Sequence, residues 1–142
     1  MTTARYTMGS AVLHDRINVI GGASPAYLAT LEVYDPATDT WSTKAPMSTA
    51  RCCLGAAAVN GKIYALGGAT AVAVNIVEIY DPETDTWSLG APVPTARHYA
   101  AEAVLDTTIY LLGGYMTAPP AGPLAVVEAF AAGKVLNVFR KD

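Results

Sequence analysis

Residues 49–94 read TARCCLGAAAVNGKIYALGGATAVAVNIVEIYDPETDTWSLGAPVP, and the middle of this stretch decides the fold. Cys53 to Val59 is a run of small apolar residues that stops at Asn60-Gly61. Asn-Gly between apolar runs favours a two-residue hairpin, because both residues tolerate positive φ. Lys62 to Leu66 is then the return strand, closed by Gly67-Gly68. Val74 to Tyr80 is β-branched and predicts a third strand, ended by an Asp81-Pro82 turn. Trp87 to Ala91 predicts a short fourth strand, bounded by Pro92 and Pro94, because proline cannot donate to a central ladder. Four short strands in succession predict an antiparallel up-and-down sheet.

The same pattern lies on either side, offset by 46 residues. Thr49-Ala50-Arg51 recurs as Thr3-Ala4-Arg5 and Thr95-Ala96-Arg97. Gly67-Gly68 recurs as Gly21-Gly22 and Gly113-Gly114, and Ile63 as Ile17 and Ile109. Tyr80-Asp81-Pro82 and Asp85-Thr86-Trp87 recur as Tyr34-Asp35-Pro36 and Asp39-Thr40-Trp41. The third unit departs late. Val127-Glu128-Ala129-Phe130 aligns with Val77-Glu78-Ile79-Tyr80 only after a four-residue insertion between Tyr115 and Pro123. Ala131-Ala132-Gly133-Lys134 then replaces the Asp-Pro turn, Val135 to Phe139 is the expected last strand, and no Trp follows.

Composition bounds the reading. The 142 residues are 52% hydrophobic and 15% charged, with a net charge of -3. This is too apolar and too weakly charged for a disordered chain. There is no basic excess for phosphate-driven nucleic-acid binding. No apolar run approaches the length of a membrane-spanning helix. Met1 to Gly9 lacks the layout of a signal peptide, so the expected location is cytoplasmic, with no membrane partner.

A four-stranded sheet cannot bury two apolar faces alone. Radial stacking of copies solves this, and the result is a β-propeller. Gly55-Ala56-Ala57-Ala58 supplies small side chains for strands crowding an axis, and Tyr80 and Trp87 supply large ones where sheets splay. With Gly-Gly after an Ile-Tyr strand, then Tyr-Asp-Pro, then Trp, and Arg before the next strand, the chain resembles the Kelch repeat. The resemblance covers two complete repeats and one degenerate one. It implies an all-β fold of three four-stranded antiparallel blades, half of a six-bladed propeller. The blades would span about residues 3–48, 49–94 and 95–142, with the first strand of each innermost and the fourth outermost. Three blades leave two apolar faces open. Either two copies close a six-bladed ring as a homodimer, or the chain is a piece of a longer product whose other blades are missing.

Strand alternation sends the loop before each first strand and the loop after each Gly-Gly to one face, around the channel mouth. The candidate ligand-binding residues there are Arg5, Tyr6, Arg51, Cys52, Cys53, Arg97, His98 and Tyr99. Arg5, Arg51 and Arg97 recur in every unit, as do Glu32, Glu78 and Glu128, which favours framework pairing over ligand binding. Asp35, Asp39, Asp81 and Asp85 invite a calcium reading, but their context better fits side chains capping turn amides. Cys52-Cys53 reads as two reduced thiols, with a thiol-sensor role if Arg51 lowers a thiol pKa. His14 falls at a hairpin on the opposite face from His98, so they share no site.

The expected function is a non-catalytic scaffold that binds a protein or peptide at the channel mouth, without cofactor or metal. The alternatives are a carbohydrate-acting enzyme of the sugar mutarotase or epimerase type, or a propeller fragment without a function of its own. For the enzyme reading the catalytic candidates are Glu102 and His98, with Asp106 third. Glu102 stands out because its counterparts are Ser10 and Ala56, so no framework requires a carboxylate there.

Overall fold

A computed structural model of the chain describes residues 1–131 and the backbone of residues 134–140. The described residues form three four-stranded antiparallel sheets. The first sheet runs Gly9–Leu13, Arg16–Ile20, Leu31–Asp35 and Thr40–Lys44. The second runs Gly55–Val59, Lys62–Leu66, Val77–Asp81 and Thr86–Leu89. The third runs Ala101–Leu105, Thr108–Leu112, Val126–Ala131 and Lys134–Arg140. Within each sheet every strand pairs with the one before it, as an up-and-down sheet requires. Asn60 and Gly61 close their hairpin with φ of 51° and 72°, as expected for this dipeptide. The centre of the Ala131–Lys134 turn, residues 132–133, lies outside the described residues, as do 141–142.

Three strand limits differ from the sequence expectation, each for a local reason. The first strand of the second sheet starts at Gly55, because Cys53 has φ of 56° and cannot continue a strand. The third starts at Val77, because the Val74 N–H turns back to the Gly68 carbonyl at 2.9 Å. The fourth ends at Leu89, and Ala91 leaves the ladder to pack between sheets. The loops after Gly21-Gly22 and Gly113-Gly114 also carry small two-stranded ribbons, Ala23–Ser24 with Ala26–Tyr27 and Tyr115–Met116 with Gly122–Pro123. The repeat pattern did not announce these.

The core lies between sheets. At the first junction Ile20, Leu31 and Val33 meet Ile63, Ala65 and Tyr80, with Met47 inserted from the connecting segment. At the second, Tyr64, Leu66 and Val77 meet Ile109, Leu111 and Phe130, with Val93 inserted in the same way. Tyr64 and Phe130 pack edge to face, with ring centroids 6.0 Å apart. Burying each large apolar side chain contributes about 1.5–3 kcal/mol, so each junction is a full hydrophobic core rather than a loose contact. The first strands approach one another most closely. A Cβ on Gly9 would stand 2.9 Å from the Ala56 Cβ, which explains the small residues on these strands. They are the innermost strands, and their small side chains Ser10, Ala56 and Ala57 wall one continuous surface with Glu102.

The two end faces are uncovered among the described residues. Ile63 and Ile109 are 0% exposed, whereas Ile17 in the same register is 40% exposed on the first sheet. Leu66 is 1% exposed and its counterpart Leu112, on the far side of the third sheet, is 41% exposed. No helix among the described residues is long and apolar enough to cross a membrane.

Candidate interaction face

One backbone device builds this face three times. The residue after each repeated arginine pairs with the residue after each Gly-Gly: Tyr6 with Ala23, Cys52 with Ala69, and His98 with Tyr115. Each pair exchanges two hydrogen bonds of 2.8–3.2 Å. The loop before each first strand and the loop after each Gly-Gly therefore stand together at one end of the sheets. The glycines make this possible. The Gly68 N–H donates to the Arg97 carbonyl at 2.8 Å, and the Gly22 N–H to the Arg51 carbonyl at 3.0 Å. Gly21-Gly22 and Gly67-Gly68 thus each receive the backbone of the next sheet's arginine.

The arginines lie beneath this face. Arg5 pairs with Glu32, Arg51 with Glu78 and Arg97 with Glu128, all six buried. The Arg51 guanidinium also donates to the carbonyls of Gly67 at 2.9 Å, Ala65 at 3.1 Å and Thr49 at 3.2 Å. The Arg97 guanidinium donates to the Gly113 carbonyl at 2.8 Å, and burial pulls its pKa down against the pull of Glu128. Glu78 in turn accepts from the Ser48 N–H and hydroxyl, each at 2.6 Å. The loop position of Arg5, Arg51 and Arg97 makes them ligand-binding candidates, but the structure has the framework pairing that their recurrence favours: each guanidinium is enclosed by its own sheet's carboxylate and carbonyls and presents no charge at the mouth.

A depression of about 380 Å³ opens among the inner ends of the three loops. Thr7, Cys53, Tyr99 and Glu102 contribute to its lining, together with small residues of the first strands. Thr7, Cys53 and Tyr99 each stand two residues after an arginine, and each has φ near 55°. Such values strain a residue with a Cβ by about 1–3 kcal/mol. They follow from a belt of bonds around the axis. The Tyr99 N–H donates to the Cys53 carbonyl at 3.0 Å, and the Cys53 N–H to the Thr7 carbonyl at 2.7 Å. Sequence reasoning places Thr7 beside Tyr6 in this loop but does not foresee the shared conformation, because Thr, Cys and Tyr carry no signal for positive φ. The shared register, two residues past each arginine, was the signal available.

The remaining candidates separate by exposure. Tyr6 and Tyr99 are 61% and 62% exposed. His98 is half-buried, between Tyr99 at 4.8 Å and Tyr115 at 5.6 Å between ring centroids. Neither of its ring nitrogens has a hydrogen-bond partner among the described residues, and burial holds its pKa below the ordinary histidine value. Glu102 faces the depression, and the surrounding first strands raise its carboxyl above the ordinary range by desolvation. No second carboxylate and no imidazole lines the depression among the described residues. On the opposite face, the Ala37 and Glu83 N–H groups donate to Asp35 and Asp81 at 3.0 Å. The hydroxyls of Tyr34 and Tyr80 donate to Asp39 and Asp85 at 2.8 Å.

Cys52 and Cys53 are buried free thiols whose Sγ atoms are 3.1 Å apart. Burial, then hydrogen bonding and proximity to Cys53, push the Cys52 thiol up to about 11. The expected activation by Arg51 is overturned, because Glu78 neutralises that charge. At pH 8 a rise of about two units cuts the thiolate fraction roughly a hundredfold, and higher intrinsic nucleophilicity returns about a factor of ten. Alkylation of Cys52 in the folded protein is therefore expected to run at least about tenfold slower than in the denatured chain. Mass spectrometry of iodoacetamide time courses checks this, and equal rates would restore the reactive-thiol reading.

Comparison with known proteins agrees with this frame. The family model for the Kelch motif matches residues 4–48 and again 50–94, well over half of the chain. No curated protein matches the chain. Kelch repeats generally mediate protein–protein interaction. With two matched motifs laid over two four-stranded sheets of matching register, the chain belongs to the Kelch-repeat family.

Proposed function

We propose that the chain is a binding scaffold that takes a peptide or protein loop at the axial face. The observation that carries this is the pair of exposed tyrosines, Tyr6 and Tyr99, held on a hydrogen-bonded loop frame beside the depression. Tyrosine is favoured at interaction hot spots because it brings a large rigid contact surface and a polar tip at low entropic cost. With the arginines buried, Glu102 is the charge facing the depression, so the fitting partner brings a basic or neutral side chain rather than an acidic one. The frame is rigid and the chemistry is complementarity, with no bond made or broken. A sugar-modifying enzyme would need a second group to work with Glu102, and His98 is packed aside between two tyrosines. Adjacent free thiols suit a reducing compartment, and a cytoplasmic setting is part of this proposal.

Peptides selected from a random display library against the protein test the reading. Tyr99→Ala is expected to weaken the selected peptides by about 2 kcal/mol, roughly thirtyfold in Kd, without changing the melting temperature. Peptides that bind wild type, Tyr6→Ala and Tyr99→Ala equally would remove the mouth as the binding face.

A further inference from the structure

We propose that the uncovered faces of the first and third sheets are the two halves of one interface. Two copies of this chain would join head to tail through it and close a six-bladed ring, with the two-fold axis along the channel. The inference deepens the binding reading, since the second copy would supply the other half of the mouth's wall.

Two observations carry it, and each compares an end of the chain with its own interior. The first is burial. Ile63 and Ile109 are fully covered by the sheet before them, while Ile17 is 40% exposed in the same register. Leu66 and Val59 are covered by the sheet after them, at 1% and 5%, while Leu112 and Leu105 are 41% and 63% exposed. Side chains in the register of both internal junctions are thus left exposed at both ends. The second is the axial belt. The Tyr99 N–H and Cys53 N–H bond from sheet to sheet, but the Thr7 N–H and the Tyr99 carbonyl have no backbone partner among the described residues. One free donor stands at the first sheet and one free acceptor at the third, which is the pair that the next bond of the belt needs.

A second copy is the fitting occupant because the two free faces complement each other rather than themselves. The internal junctions show how a leading face of this repeat packs on a trailing face. Tyr110 repeats Tyr64, which packs on Phe130, and would meet Tyr34 in the place of that ring. Head-to-tail contact through a two-fold axis satisfies both faces of both copies with two identical junctions and leaves none open. Six blades lie within the range that propellers close.

Sedimentation equilibrium of the chain tests this, with an expected mass of twice 14.8 kDa that does not grow with concentration. Ile17→Asp and Leu112→Asp each place a charge in a junction and are expected to raise the dimer dissociation constant by about a hundredfold or more. Both sites are already part-exposed in the single chain, and circular dichroism checks that each variant keeps its strand signal. Leu105→Asp is the second trailing-face variant if Leu112→Asp does not fold. Mixing the two variants leaves one junction wild type on both sides, so a two-chain species is expected to return. A wild-type mass of 14.8 kDa would overturn the proposal and point to blades supplied by other sequence. Indefinite growth with concentration would overturn it as an open filament. A dimer that survives Leu112→Asp but not Ile17→Asp would overturn it as a face-to-face contact. Mass is the readout rather than ligand capture. A monomer that still binds peptides through Tyr99 would sink ring closure alone, and a ring indifferent to Tyr99 would sink the binding reading alone.

Discussion

Arg51→Ala is expected to lower folding stability by about 3–5 kcal/mol, which in a domain of this size is a fall of roughly 10–20 °C in Tm. The loss comes from what is left behind. Arg51 is 0% exposed and its guanidinium bonds Glu78 and three backbone carbonyls. Removing it strands a carboxylate that water cannot reach and unsatisfied carbonyls at the end of the second strand. The pair is not a large net stabiliser in itself, since two charges were desolvated to form it. Replacing both partners with apolar residues of similar size, Arg51→Met with Glu78→Leu, is therefore expected to recover much of the loss. Thermal melts of the two single variants and the double variant form a cycle that isolates the pair. If Arg51→Ala melts with wild type and loses only partner binding, the guanidinium is a ligand group after all.

Gly68→Ala is the second large effect, at about 3 kcal/mol or more. Gly68 has φ of 100°, and a Cβ there would stand 2.7 Å from the Cys52 carbonyl oxygen and 2.9 Å from the Leu54 Cβ. Neither can yield cheaply. The Cys52 carbonyl is held by the Ala69 N–H at 2.8 Å, and Leu54 is part of the first junction. Gly61→Ala is the built-in comparison. Its φ is 72°, but nothing lies within 4 Å of a Cβ placed there. It carries only backbone strain, about 1 kcal/mol. Urea midpoints of the two variants separate clash from strain. Equal midpoints would mean that the Gly-Gly step tolerates a side chain and that close approach is not its purpose.

Much of this fold is written locally, which is why it can be read from the sequence. Asn60-Gly61, the Asp-Pro turns and the paired glycines act over a few residues, and the recurrence of Gly-Gly and Thr-Ala-Arg at a fixed offset marks three sheets before any packing is considered. The candidate face was less legible, because its character depends on partners remote in sequence. Arg51 near two cysteines suggests an activated thiol until Glu78 is seen to occupy the guanidinium. The recurrence of the arginines with three glutamates points to framework pairing, but that the pairing leaves no charge at the mouth shows only once each guanidinium is found below it. Thr7, Cys53 and Tyr99 share nothing as residue types, and what unites them is a backbone belt that exists only when the sheets stand side by side.

The placement of the core between sheets has a consequence for motion. In a single chain the middle sheet is gripped on both sides, and each end sheet on one. A sheet here has no interior of its own to fall back on, so fluctuations begin at the two flanks and must pass through a junction before they reach the centre. Tyr6 rides on one flank and Tyr99 on the other, with the steadier Cys53 loop between them. Until its flanks are covered, the gap between the two tyrosines can therefore breathe while its floor keeps still, as in a clasp with two hinged sides and a fixed back, and covering them is what makes the frame rigid.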